Sequence, residues 1–331
     1  MNKLNKLGYV VLIGCLSFAF VACDDDSDKH TLLKNDCLKW TAGPNIAGLD
    51  IEFAYAMALP YNTGKIVSAQ AEASIAGADG TWMEHNSYYT TASGQMDIPV
   101  LVGNPSATNG KTTTVDFVVD TCAATLRYYY KIPEAAKGQS VSFTFSTTAS
   151  TGEKVSYNMG PYTISKMDMA LDLSLSRANC YISIEDMAVY NAQQAAEIPE
   201  KIDLVYNFLN LSSTGIEFGH AFAAPAAGPD FLPTGFPENL HKNAKIRKGS
   251  VMDAHLARLH LSGKLQPEVY VDDIDLQTID LANMPNYALN IITDGGLWVE
   301  TQDGKYRAFI YANNMRTIVG GTISMKRYTM K

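Results

Sequence analysis

The chain has 331 residues, of which 47% are hydrophobic and 18% charged, a balance typical of a folded globular protein rather than a disordered one. Its formal net charge of -8 excludes the basic surface that nucleic-acid-binding proteins use, so we expect no nucleic-acid partner. The length predicts two domains or one large domain.

The N-terminus has the pattern of a bacterial lipoprotein signal. Lys3 and Lys6 precede an apolar run over 10–20, which is shorter than the roughly 20 residues of a membrane-spanning helix. A small residue and then Cys23 follow this run. We therefore expect cleavage before Cys23, attachment of a diacylglyceryl group to its thiol and insertion of the acyl chains into a membrane. A plain secretory signal with an incidental cysteine is the alternative.

An acidic run, Asp24, Asp25 and Asp26, comes directly after the lipidation site. It resembles the export signal that sends surface lipoproteins of Bacteroidota through the outer membrane; a solvated linker is the alternative. An EF-hand is excluded because neither its turn glycine nor its closing glutamate follows at the required spacing. The sequence thus predicts a signal peptide over 1–22 and a lipidated acidic tether over 23–45.

Three cysteines, Cys37, Cys122 and Cys180, remain in the mature chain besides the lipidated one. Because their number is odd, at least one thiol stays unpaired. No C-x-x-C occurs and no Cys/His spacing is typical of a zinc site, so we expect neither a metal site nor a cofactor. Apolar, strand-like residues flank Cys122 and Cys180, which favours burial of both as small hydrophobic side chains.

Hydrophobic residues alternate with polar or small residues through the first half of the chain. Over 49–59 the apolar side chains occupy every second position, with Asp50, Glu52 and alanines between them. Similar runs recur up to residue 165, separated by turn signals such as Asn109-Gly110. This pattern predicts a mostly β protein whose residues 46–168 form an antiparallel, immunoglobulin-like β-sandwich.

The pattern changes near residue 168, and residues 169–331 are predicted to form an α+β domain with an antiparallel sheet. We expect strands over 180–186, 201–208 and 318–328 and helices over 192–197, 237–243 and 251–261. Carboxylates clustered over 272–280 predict a helix N-terminus, where they complement the helix dipole. The Asp303-Gly304 pair predicts the turn of a hairpin.

No sequence motif for catalysis is present. Gly103 and Gly110 are separated by six residues rather than the four of a phosphate-binding loop, so a hairpin turn is the better interpretation. His255 and His260 are five apart rather than the four of H-E-x-x-H, and no G-x-S-x-G occurs. We therefore expect a protein without catalytic residues, although the paired carboxylates of a glycoside hydrolase would meet only in the fold.

Aromatic residues supply the candidate binding sites. Trp82 lies in a glycine-bounded stretch and is followed by His85, Tyr88 and Tyr89, the densest aromatic segment outside a clear strand core. Exposed Trp and Tyr rings suit sugars, whose C–H faces stack on π-systems, and they also suit peptides. Packing in the core is the alternative for each ring. His220, at the start of a proline-rich loop, is predicted to be either a ligand contact or a structural hydrogen-bonding residue.

Several segments resemble a family of Bacteroidota outer-membrane surface lipoproteins filed as a domain of unknown function. Together spanning nearly all of the mature chain, they are ATLRYYYKIP, VSFTFSTTASTGEKVSYNMGPYTISKMDM, CYISIEDMAVYNA, KIDLVY, GHAFAAP and DGKYRAFIYAN. The resemblance implies an accessory lipoprotein of a SusC/SusD-type importer, anchored in the outer membrane by its lipid and facing the cell exterior. Such a protein binds glycan or peptide nutrients without catalysis. A structural or adhesive surface protein and an unrecognised hydrolase are the alternatives.

Overall fold

The computed structural model describes residues 32–211, 216–249, 271–316 and 320–331, and this part of the chain is mostly β. The strands of the first half are β1 (Lys34–Lys39), β2 (Asp50–Ala58), β3 (Ile66–Ala73), β4 (Trp82–Met83), β5 (Asn86–Tyr89), β6 (Ile98–Leu101), β7 (Ala107–Asn109), β8 (Thr112–Asp116), β9 (Ala123–Lys131), β10 (Ser140–Ala149) and β11 (Lys154–Thr163). The elements of the second half are β12 (Asp168–Leu175), β13 (Asn179–Ser183), β14 (Ala188–Asn191), α1 (Ala192–Glu197), β15 (Leu204–Leu211), β16 (Ile216–Ala223), β17 (Lys245–Gly249), α2 (Asp273–Thr278), β18 (Tyr287–Ala288), β19 (Gly296–Glu300), β20 (Tyr306–Met315) and β21 (Gly321–Thr329). Short 3-10 turns cover Glu134–Ala136, Pro199–Lys201 and Pro229–Phe231.

The first half is the antiparallel β-sandwich that the alternating pattern predicts. Sheet 1 has the strand order β1-β2-β9-β4, and sheet 2 has the order β11-β10-β3-β8-β7. Phe53 of β2 and Phe143 and Phe145 of β10 are buried between the sheets, with ring centroids 4.7 and 5.1 Å from that of Phe53. Burial of each such ring stabilises the fold by about 1.5–3 kcal/mol. The separate pair β5-β6 forms a hairpin beside β9.

The tether predicted over 23–45 is wrong in its second part, because residues 34–39 form β1. This strand pairs with β2 along its whole length and places the buried Cys37 opposite Tyr55. The sequence of β1 has no apolar face of period two, so its pairing comes from the long-range contact rather than from a local pattern. Residues 1–31, with the predicted signal, lipidation site and acidic run, lie outside the described residues.

The second half contains two more antiparallel sheets with a common core. Sheet 3 has the order β12-β21-β20-β19-β17, and sheet 4 has the order β14-β13-β15-β16-β18. Ile182 of sheet 4 shares a buried cluster with Val299 and Ile310 of sheet 3. Helix α1 contacts β13 and β14 and buries Ala195, whereas α2 contacts β20 and β21 and buries Leu276. Within the described ranges these two helices are only six residues long each, so the second half is also mostly β.

Both of these helices begin where the sequence predicts. Residues 192–197 form α1, and the Asn191 side chain accepts a hydrogen bond from the Gln194 backbone while the Gln194 side chain accepts one from the Asn191 backbone. Asp272 and Asp275 form the same reciprocal pair at the start of α2. Such a capping box satisfies backbone N–H groups that a helix N-terminus otherwise leaves without partners.

The helix predicted over 237–243 is wrong, because this segment is a turn followed by irregular extended chain. Leu240 is buried in the core of the second half, and the Lys242 ammonium lies 2.6 Å from the carboxylate of the fully buried Asp203. These two long-range contacts hold the segment against the sheets. In a helix, Leu240 and Lys242 would point in different directions, because they are two residues apart, and could not both face inward. The helix predicted over 251–261 lies outside the described residues.

The two halves are in direct contact where β11 ends and β12 begins. Sheet 2 contains β11 and sheet 3 contains β12, so no sheet runs through the junction. Ile46 of the first half packs in a buried cluster with Met167 and Leu276 of the second. The Asp273 carboxylate accepts a hydrogen bond of 2.8 Å from the Lys166 backbone and another from the Ser165 hydroxyl.

Candidate functional site

The outward face of β2 is a column of small side chains. Side chains alternate along a strand, so the residues between the buried ones, Glu52, Ala54, Ala56 and Ala58, face away from the sandwich core. The three alanines leave a trough between the outward side chains of β1 and β9, which are longer than alanine except for Ala123 beside Ala58. From Ala58 to Glu52 the trough is about 20 Å long, and β1 and β9 stand about 10 Å apart across it.

One end of the trough carries a row of aromatic residues that crosses sheet 1. Trp40 donates its backbone N–H to the Glu52 carbonyl at 2.7 Å, Glu52 is opposite Tyr129, and Tyr129 is opposite Trp82. The Trp82 and Tyr129 rings stack with centroids 4.9 Å apart and planes 9° apart. Trp40 and Trp82 are 45% and 42% exposed. The row therefore presents two indoles to solvent about 14 Å apart, the width of three strand spacings.

The neighbouring row holds an arginine in a fixed position. The Arg127 guanidinium lies 2.7 Å from the Asp97 carboxylate and 4.1 Å from the centre of the Tyr88 ring. The Tyr129 hydroxyl donates to the Glu84 carboxylate at 3.0 Å, and burial together with that carboxylate raises the pKa of Tyr129. Because a guanidinium is a planar group of five donors, this arrangement presents preorganised hydrogen-bond donors at the groove.

Two cavities follow the trough from end to end. The first, of about 440 Å³, is lined among others by Lys34, Asp36, Ala56, Ala58, Tyr88 and Tyr89. The second, of about 220 Å³, is lined among others by Trp40, Glu52, Ala54, Asp97, Arg127 and Tyr129. Both are bordered by the alanine column. This surface, the alanine groove, consists of the outward residues of β1, β2 and β9, with Trp40, Trp82, Tyr88, Tyr89 and Asp97 around them.

Carboxylates outnumber cations in the alanine groove. Asp36, Glu52 and Asp97 line it together with Lys34 and Arg127, and Asp97 neutralises Arg127 by their ion pair. Burial, and then the neighbouring Asp50 carboxylate, raise the pKa of Glu52, while Arg127 acts in the opposite direction. The groove is thus weakly acidic, with acceptors for hydroxyl groups and one fixed donor group.

The structure brings together three of the aromatic residues selected from the sequence. Trp82 is at the far end of the aromatic row, on β4 beyond β9 and outside the linings of both cavities. Tyr88 and Tyr89 line the larger cavity, with Tyr89 51% exposed. His85 lies half-buried at the base of the β5-β6 hairpin, where its carbonyl accepts hydrogen bonds from the backbone of Val102 and Gly103. Its side chain does not line either cavity of the groove.

Sequence reasoning missed Trp40, Arg127 and Tyr129 as groove residues. Trp40 lies within the predicted tether, and its position depends on the register of β1 against β2. The signal for Tyr129 was available in the YYY triplet, because a strand must turn the middle ring to the opposite face from its neighbours. The regular spacing of Ala54 and Ala56 marks the floor of the groove in the same way.

His220 lies in β16, in the other half of the protein, and both of its ring nitrogens are engaged within the fold. Nε2 faces the Arg316 carbonyl and must donate to it, so Nδ1 accepts from the Tyr206 hydroxyl at 2.8 Å. The Tyr206 oxygen in turn accepts from the Gly320 N–H at 2.8 Å. Burial lowers the pKa of His220, which favours the neutral imidazole that this network requires. The geometry is that of a structural hydrogen-bonding residue.

The cysteines in the described ranges are free thiols. Burial, and then the Asp36 carboxylate, raise the pKa of Cys37 to about 12, and burial raises that of Cys180 to about 11, so both are held as unreactive thiols. Within the part of the chain that the structure describes, no three His, Cys, Asp or Glu side chains are grouped so that they could hold a metal ion. The described helices include none that is long and apolar enough to cross a membrane.

Family comparisons divide the chain at the junction between the halves. The family model named Domain of unknown function (DUF4466) matches residues 30–164, and the model named Domain of unknown function (DUF8576) matches residues 165–330. The crystal structure of a DUF4466 family protein from Parabacteroides merdae is 45% identical, with a TM-score of 0.79 over 91% of this chain and 99% of that chain. The chain belongs to the DUF4466 family. The alanine groove of this DUF4466 protein lies within the part that the DUF4466 model matches.

Other solved structures are much less similar to this DUF4466 protein. The major pilin GBS80 of Streptococcus agalactiae is 13% identical over 47% of this chain and 65% of the pilin fragment, with a TM-score of 0.27. The major pilin subunit BcpA of Bacillus cereus is 7% identical over 87% of this chain and 66% of the pilin, also with a TM-score of 0.27. A comparison with curated proteins finds no match.

Proposed function

We propose that this DUF4466 protein is a non-catalytic, lipid-anchored protein of the cell surface that captures glycan or peptide nutrients for a SusC/SusD-type importer. The observation that carries the capture function is the alanine groove, an open trough that has the exposed rings of Trp40 and Trp82 in the aromatic row at one end. Cys23 and the acidic run after it support anchoring at the outer membrane. The Parabacteroides source of the 45% identical relative supports an origin in Bacteroidota.

The shape of the groove suits weak and reversible binding. A capture protein must release its ligand to the importer, so dissociation constants from micromolar to millimolar, or about -8 to -4 kcal/mol, are appropriate. The alanine groove is open along its length, which allows such release. Its polar side chains are already held by contacts such as the ion pair between Arg127 and Asp97, so little conformational freedom is lost on binding.

Calorimetric titration of the purified mature chain tests capture by the groove. The probes are a set of neutral and anionic polysaccharides and a tryptic digest of casein. We expect at least one probe to bind, and Trp40→Ala to weaken that binding at least tenfold. The matched control is Tyr61→Ala, which removes an 82% exposed aromatic ring outside the groove and should leave affinity unchanged.

Two results would contradict the proposal. Equal affinities of the wild type and the Trp40→Ala variant would show that the groove is not the capture surface. Release of reducing ends from a bound polysaccharide would favour the alternative of a hydrolase. Association with a SusC/SusD-type importer is tested separately. Purification of the lipid-anchored chain from detergent-solubilised outer membranes should recover SusC-like and SusD-like proteins with it.

A further inference from the structure

We infer that the ligand of the alanine groove is an uncharged, unbranched glycan whose chain lies lengthwise along β2. The inference rests on the proposed capture function and narrows it from nutrients in general to one chemical class. Three properties of the groove lead to it: the shape of the floor, the groups along the rims, and the position of the groove on a sheet face instead of a sheet edge.

The shape of the groove fits a linear chain. Its floor is formed by Ala54, Ala56 and Ala58 over about 14 Å and continues to Glu52, which makes a trough about 20 Å long between rims about 10 Å apart. A single sugar would fill only part of that length, whereas a row of sugar rings can follow it. Side branches on those rings would meet the rim formed by Tyr88 and Tyr89 of the hairpin or the side chains of β1.

The aromatic row fits the flat faces of sugar rings. The parallel stack of Trp82 on Tyr129 holds the indole in a fixed orientation with much of its surface exposed. Trp40 supplies a second exposed indole, on the β1 side of the trough and opposite Tyr129. Trp40 and Tyr129 both line the smaller cavity, so their rings can contact pyranose faces at this end of the glycan. Trp82 holds the Tyr129 ring in place from the side away from the trough, and the alanine floor leaves the rest of the glycan free to slide in.

The polar groups fit hydroxyls and oppose anions. A sugar hydroxyl can donate to the carboxylates of Asp36 and Glu52 and accept from the Arg127 guanidinium. Because Asp97 already neutralises Arg127, the carboxylates of Asp36 and Glu52 outnumber the single remaining cation, Lys34, and the groove weakly repels a uronate or sulfate group. The net charge of -8 on the whole chain acts in the same direction. Charge complementarity therefore selects neutral glycans over anionic ones.

The position of the groove opposes peptides. Peptides that bind to sheets usually add a strand at a free edge, where backbone N–H and C=O groups are available. Strand β2 is instead a central strand, paired with β1 on one side over Lys34–Lys39 and with β9 on the other over Ala123–Lys131. A peptide would have only side-chain contacts here, whereas a glycan needs only the stacking and hydroxyl contacts that the groove offers.

The test is binding of the mature chain to three sets of probes at physiological ionic strength. The neutral set is an array of linear glucans, mannans, xylans, galactans and fructans; the anionic set is polygalacturonate and heparin; the peptide set is hexalysine and a casein digest. Ala56→Trp and, separately, Ala58→Trp fill the floor without removing any polar or aromatic contact. Val67→Trp is the matched control, since Val67 is 45% exposed on sheet 2, away from the groove.

We expect a neutral linear glycan to bind, and either floor variant to lower the affinity for it at least tenfold. The affinity of Val67→Trp should stay within twofold of that of the wild type. Thermal melting verifies that each variant is folded, and the more exposed Ala58 position serves if Ala56→Trp does not fold. If only anionic glycans or peptides bind, and the floor variants abolish that binding, this inference is wrong but capture by the groove still holds. Binding unaffected by either folded floor variant would overturn both.

Discussion

Replacing Trp82 by alanine distinguishes a ring that serves a binding surface from a ring that serves the core. Trp82 is 42% exposed, and one face of its indole stacks on Tyr129. The substitution removes this aromatic pair and a partly buried surface, so we expect a loss of about 1–2 kcal/mol in the free energy of unfolding. A fully buried Trp would cost about 3–5 kcal/mol. The structure therefore predicts a modest effect on stability.

The same substitution should also weaken binding, and the loss is a larger share of the binding free energy than of the free energy of unfolding. We expect at least a tenfold loss of affinity for a neutral linear glycan, or about 1.4 kcal/mol, because the stacking platform at the end of the groove is lost. Chemical denaturation and calorimetric titration on the same samples measure both quantities, with Tyr61→Ala as the control for loss of an exposed ring. Unchanged affinity together with a loss of more than about 3 kcal/mol in the free energy of unfolding would show that Trp82 serves the core and not the binding surface.

The remaining predictions concern stability and location. The free energy of unfolding should fall as pH drops below about 6.5, because His220 has a lowered pKa in the fold and takes up a proton more readily when unfolded. His220→Gln should flatten that part of a profile measured by chemical denaturation, and an unchanged slope would contradict the network. Lys242→Met should cost about 3–5 kcal/mol by leaving the buried Asp203 carboxylate without its ion-pair partner. Combining it with Asp203→Asn should recover most of that loss in the same assay, and no recovery would show that the charge is not the cause. Cys23→Ala should move the protein from the membrane fraction to the soluble one on immunoblots. Alanine replacement over 24–26 should keep it lipidated but protect it from protease added to intact cells, and equal protection of the wild type would contradict surface exposure.

Local patterns predict most of the strands but not the groove. The alternation over 49–59 gives β2 and its buried face, and Asp303-Gly304 gives the hairpin of β19 and β20, because period and turn chemistry are properties of adjacent residues. The function of the outward face of β2 depends on which strands lie beside β2 in the sheet. Trp40 and Trp82 are 42 positions apart in sequence, and only the registers of sheet 1 place them in one row.

Two segments, 34–39 and 237–243, differ from the structure predicted for them, and both do so for the same physical reason. The segment 34–39 lacks an apolar period, yet it forms β1 because β2 offers it a partner along its full length. The segment 237–243 resembles a helix, yet the ion pair of Lys242 with Asp203 draws it across the sheets. In each case a contact with a distant part of the chain outweighs the local structural preference. Patterns of neighbouring residues do not contain information about such contacts.

Tryptophan fluorescence offers the most direct test that the alanine groove is the capture surface. Of the three tryptophans in the chain, Trp40 and Trp82 are 45% and 42% exposed at the groove, and Trp298 is 8% exposed in the core. Acrylamide quenching is therefore measured with and without saturating maltoheptaose, or the neutral linear glycan of highest affinity in the array. We predict that the glycan protects Trp40 and Trp82, that Trp40→Phe and Trp82→Phe each remove part of this protection, and that the Trp298 signal is unchanged. Identical quenching of the free and the glycan-saturated protein would contradict it.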